Sequence, residues 1–141
     1  MSQLLQLQNR KRHLNSQIST NRTTVRNLEK RITRLKSART QVSSALNMLR
    51  SSRNRINRVS IGATSWRGNR KNNFDKKYDR YKSSVKTYVT KVEDSRDRLS
   101  DEIKRIEAQR STCLANISSM QNTINTLNTQ IGVIERAMRN G

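Results

Sequence analysis

The sequence predicts an all-α chain, a long antiparallel two-helix coiled-coil hairpin with a Trp-x-Gly motif at the bend. Apolar residues recur at alternating spacings of three and four over most of its 141 residues, the signature of a helix with one seam-facing stripe. Proline is absent and glycine occurs only four times, so little in the chain stops a helix once it has started. The one break in the periodicity falls near the middle.

The first helix is predicted from about Ser2 to about Val59. With Leu4 at heptad position a, the a series is Leu4, Lys11, Ile18, Val25, Ile32, Arg39, Leu46 and Arg53. The d series is Leu7, Leu14, Asn21, Leu28, Leu35, Val42, Leu49 and Ile56. Twelve of these sixteen positions are apolar and the frame never slips. At about 1.5 Å per residue such a helix extends roughly 85 Å.

The pattern stops at Ser60-Ile61-Gly62-Ala63-Thr64-Ser65-Trp66-Arg67-Gly68-Asn69, which holds two of the four glycines and several turn formers. Thr64, Ser65 and Asn69 are candidate N-caps for a second helix. Trp66, the only tryptophan, is costly to expose and is expected to plug the junction of the helices. Phe74, eight residues on, falls on the same face.

The second helix is predicted from about residue 70 to about residue 139. Its stripe runs Phe74, Tyr78, Tyr81, Val85, Tyr88, Val92, Ser95 and Leu99. The frame then slips, and continues as Ile103, Ile106, Arg110, Cys113, Ile117, Met120, Ile124, Leu127, Ile131, Ile134 and Met138. Two successive spacings of four unwind a supercoil locally without ending the helix. The tyrosines are expected to pack in the seam with their hydroxyls in water. A bend near Thr64 would place Ile103 beside Val25 and Ile124 beside Leu4. Residues past about Leu127 would then overhang the first helix with no intramolecular partner. Residues 1–141 are thus expected to form a single hairpin.

Charge is the second strong signal. Thirty basic and ten acidic residues give +20. Residues 1–65 carry fourteen of the basic residues and one acid, Glu29, whereas the stretch between Arg110 and Glu135 carries no charge. The seam flanks of the first helix include Arg10, Arg22, Arg31, Lys36 and Arg50. Those of the second include Lys77, Lys82, Lys91, Arg96 and Arg98. Glu102 and Glu107 could meet Arg22 or Arg26. Such flanks ask for an acidic partner. The partner-binding seam is expected to comprise Leu4, Leu7, Leu14, Ile18, Val25 and Leu28 with Ile117, Met120, Ile124, Leu127, Ile131 and Ile134.

Residue chemistry points away from catalysis. His13, the only histidine, has no ligand-type neighbour at metal-binding spacing, so no metal or other cofactor is expected. Cys113 lies on the apolar seam, where a structural role fits better than a nucleophile. Asp94, Asp97 and Asp101 sit among Lys91, Arg96 and Arg98 and read as solvated ion pairs. No stretch is long and apolar enough to cross a membrane, and no classical signal peptide is read. The expectation is a soluble, non-enzymatic binding protein.

Trp66, Gly68 and Phe74, in a proline-free helical chain of this size, resemble the WXG (ESAT-type) family of type VII secretion. Members are small helical hairpins with Trp-x-Gly at the bend and an aromatic or apolar residue eight positions after the tryptophan. The long helices look like the relatives encoded beside LXG polymorphic toxins in Gram-positive bacteria. The resemblance implies a chaperone-like adaptor that binds the helical N-terminal region of such a toxin and escorts it to the secretion machine. It implies a cytoplasmic protein before export, with any export by a Sec-independent route. Arg70 departs from the family's usual small residue, and Tyr78, Tyr81 and Tyr88 lack an acid four residues later, so a tyrosine-based export signal is missing. A homo- or hetero-oligomer is compatible with the pattern. Two other binding modes fit the charge: nonspecific phosphate contact with nucleic acid, and electrostatic attachment to a membrane surface.

Overall fold

The structure is a computed structural model that describes residues 2–58 and 69–141. It is an all-α helical hairpin. Helix α1 spans Ser2–Arg58 and α2 spans Asn69–Asn140, and among the described residues there is no strand. Trp66 and Gly68 lie outside the described residues.

The helices persist despite their load of Ser, Thr and Asn, which favour caps and turns over helix interiors. Many of these side chains fold back onto the carbonyl four residues earlier, as Thr24 does to Thr20 at 3.1 Å, Thr33 to Glu29 at 3.0 Å and Thr129 to Asn125 at 3.2 Å. The polar groups are thereby satisfied inside the helix. Basic residues in the last turns, Arg55 and Arg58 of α1 and Arg139 of α2, complement the negative ends of the helix dipoles.

Two compact units make up the chain, one from Met1–Thr33 with Lys104–Gly141 and one from Arg34–Ile103. In the first, Ile18, Val25 and Ile117 form a buried cluster with Cys113, Met120 and Ile124 packed against it. Ile18 and Ile124 share one groove wall, as do Leu28 and Cys113. In the second unit the core is Leu46, Val89 and Ile103. There Arg39 donates to the Ser100 hydroxyl at 3.4 Å, and Arg50 pairs with Glu93 at 3.5 Å. Both sets of contacts define antiparallel packing.

All sixteen a and d positions of α1 are buried or half-buried. The hairpin register differs from expectation. Val25 packs with Ile117 and not Ile103; Ile124 lies with Ile18 and not Leu4. The predicted overhang is absent, because Leu127 and Ile131 are buried. The expected register assumed helices paired symmetrically about Thr64. The observed register is displaced by about four turns, which brings the uncharged 111–134 stretch of α2 against the start of α1. Arg22 and Arg26 accordingly stand beside Gln121 and Asn125, and not beside Glu102 or Glu107.

The frame of α2 also differs. Tyr81 and Tyr88 are 56% and 57% exposed, while Val89 is 1% exposed. Lys82, Arg96 and Leu99 are half-buried and Ser95 is exposed. The inward stripe therefore runs Val85, Val89, Val92, Arg96, Leu99, Ile103 and Ile106 with unbroken three-four spacing. The double step of four falls earlier, at Phe74, Tyr78 and Lys82. Each disputed position is adjacent to its rival, and the frame set by Ile103 and Ile106 continues backwards to Val89. Burying several β-branched side chains in one register outweighs placing two tyrosines there, since a tyrosine on the flank keeps its hydroxyl wet.

Candidate interaction surface

The residues expected to form a partner-binding seam are brought together, against one another. Ile18, Val25, Leu28, Ile117, Leu127 and Ile131 are buried. Leu4, Leu7, Leu14, Met120, Ile124 and Ile134 are half-buried. In this state the chain covers the stripe itself, which leaves the outer faces for any partner.

The flanking cations divide. Arg10, Arg22, Arg31 and Lys36 are exposed. Arg50 is half-buried and paired with Glu93; an exposed pair of this kind contributes about 0.2–1 kcal/mol. Lys82, expected on a flank, lies 4.7 Å from the Tyr78 ring centroid and 3.5 Å from Asp79. Arg96 turns to its neighbour Asp97 at 3.3 Å. Phe74 stacks on Tyr78 at 5.6 Å with an 11° interplanar angle, so a ladder of Phe74, Tyr78 and Lys82 climbs one face of α2 at helical spacing. The Arg70 side chain lies outside the description.

In the first unit the two helices present different surfaces. The α1 segment carries Arg10, Lys11, Arg12, Arg22, Arg26, Lys30 and Arg31, whereas residues 111–134 of α2 expose Ser, Thr, Asn and Gln together with Leu114 and Val133. The grooves beside this seam are open: a mainly polar one is lined by Asn15, Ser19, Arg22, Arg26, Gln121 and Asn125 over Ile18 and Ile124, and a mixed one on the other side by Ser16, Thr20, Asn116 and Ser119 with Met120. A more apolar hollow has Leu28, Ala108 and Cys113 in its wall. Cys113 is a half-buried free thiol, and His13 is exposed. Among the described residues no three His, Cys, Asp or Glu side chains converge on a point where a metal ion could sit.

In the second unit the two edges of the seam also differ. One edge is charged, with Arg53, Asp79, Lys82 and Lys86 around a groove and the Arg50–Glu93 pair beside it. The other follows from the same register, which sets Ala45 across from Ser95 and Ser52 across from Tyr88. Met48, 72% exposed, lies one turn from both Ala45 and Ser52. The sequence reading missed this edge because it placed Tyr81 and Tyr88 in the seam. The signal was the second apolar frame, through Val85, Val89 and Val92.

No helix of the described chain is long and apolar enough to cross a membrane. Fold and surface together define the class: a strongly basic, all-α helical hairpin. The model of the YwqH-like family matches residues 9–134, most of both helices, and the chain belongs to that family. No curated protein and no solved structure matches it.

Proposed function

We propose that this protein is a non-enzymatic adaptor of type VII secretion that binds the helical N-terminal region of an LXG-type toxin. The observation that carries the reading is the YwqH-like match over residues 9–134, because proteins of that family are associated with LXG toxin systems. The hairpin form and the basic surplus agree with it. A closed hairpin offers long helical faces, and a net charge of +20 selects acidic helices and repels basic ones. Because the apolar stripe is satisfied within the chain, binding uses the outer faces, and partner selection does not require the hairpin to open.

The test is co-expression with the N-terminal region of an LXG toxin, followed by nuclease treatment, a high-salt wash and size exclusion. Co-elution at a fixed ratio supports the reading. A chain that elutes alone, and that carried nucleic acid before nuclease, contradicts it. Phosphate-backbone binding is the second reading, favoured by thirty basic residues and by the exposed rings of Tyr81 and Tyr88, on which bases can stack.

A further inference from the structure

We propose that the uncharged stretch of one edge of the second unit, formed by Ala45, Met48 and Ser52 of α1 with Tyr88 and Ser95 of α2, is a docking site for a third, acidic amphipathic helix. This assignment rests on the partner reading above and locates the contact. Seam flanks in coiled coils usually carry charge, and the opposite edge of this unit does, with Arg50 and Glu93. Along Ala45, Ser52, Tyr88 and Ser95 the flanking positions of this edge carry no charge, and Glu102, one heptad beyond Ser95, bounds the stretch. Ala45, Ser52 and Ser95 are small, and a helix can approach another to about 8–10 Å where side chains are small.

Two large side chains on this edge are exposed. Met48 is 72% exposed and Tyr88 57%. Methionine adapts its shape to a partner, and tyrosine offers a broad face with few torsions to freeze. Both types are enriched in interface cores, from which charges are depleted. Tyr81, one heptad before Tyr88, continues the same edge of α2.

Charge chooses the occupant. Arg55, Lys91 and Arg98 are exposed and occupy the next heptad position outward from this edge. A second copy of this chain would set +20 against +20, whereas a helix with an apolar stripe and Asp or Glu on both sides satisfies edge and fringe together.

The probe is a fluorescent synthetic helix with leucine at heptad positions a and d and glutamate at e and g. A scrambled peptide of the same composition is the control, and the protein is the full chain. The intact peptide is expected to bind at least about tenfold more tightly than the scrambled one. The double variant Met48→Ser with Tyr88→Ser should lose about tenfold in affinity with an unchanged circular dichroism melt, since both sites are exposed. Lys86→Ser on the opposite edge should change affinity less than about twofold. Equal binding of the scrambled peptide overturns the proposal, because charge alone then suffices. Undiminished binding of both the peptide and the LXG region by the double variant overturns this site and leaves the partner reading standing. Failure of the peptide to bind, with Tyr88-dependent binding of a single-stranded oligonucleotide, overturns both.

Discussion

Tyr88 and Val89 are neighbours in the chain and opposites in the fold: Val89 is 1% exposed and Tyr88 57%. That one-residue difference sets the frame of α2 through the second unit. It predicts a contrast between adjacent substitutions. Val89→Ala should cost about 1.5–3 kcal/mol, the value of a fully buried valine. Tyr88→Ala should stay within about 0.5 kcal/mol, as exposed sites do. Urea titrations of the two variants check this; similar losses for both would contradict the frame.

The end of α2 offers a second check. Leu127 is 2% exposed, which an overhanging residue could not be. Leu127→Ala should therefore destabilise the chain by about 2–5 kcal/mol, the cost of a large-to-small core change. A thermal melt unmoved by this substitution would restore the overhang.

Gly132 lies inside α2, and a Cβ built there would meet nothing within 4 Å. Gly132→Ala should stabilise the protein by about 0.5–1 kcal/mol, because alanine loses less backbone freedom in a helix and nothing needs to move. A raised denaturation midpoint is the expected result.

The Arg50–Glu93 pair crosses the seam at 3.5 Å with both side chains more than a third exposed. A double-mutant cycle with Arg50→Ala and Glu93→Ala should give a coupling of about 0.2–1 kcal/mol that shrinks with added salt. Zero coupling at low salt would argue against the register.

How much of this was legible in the sequence depended on which force decided each feature. The α1 stripe from Leu4 to Ile56 was fully legible, because it is aliphatic and its frame never slips. The lower half of α2, from Ile103 to Ile134, was legible for the same reason. The frame at Tyr81, Lys82, Tyr88 and Val89 was not, because two apolar patterns overlap there and only packing against α1 separates them. The register was illegible too. Leu4, Ile18 and Val25 can each sit opposite several isoleucines of α2 at heptad intervals, so hydrophobicity alone permits slides of one or two heptads. Consequently the residues expected to bind a partner are found packed against one another within the chain, and the edge holding Met48 and Tyr88 stayed hidden until the frame was known.

The central claim is that the protein acts as a closed hairpin and meets its partner on its outer faces. The most direct measurement locks the hairpin. With Cys113→Ser to remove the native thiol, Ile18→Cys and Ile124→Cys place two thiols across the seam, and oxidation should close an intramolecular disulfide in a monomer. The oxidised protein is expected to bind the LXG N-terminal region as tightly as the reduced one. Binding by the reduced form that disappears on oxidation would show that the hairpin must open, and would contradict the claim.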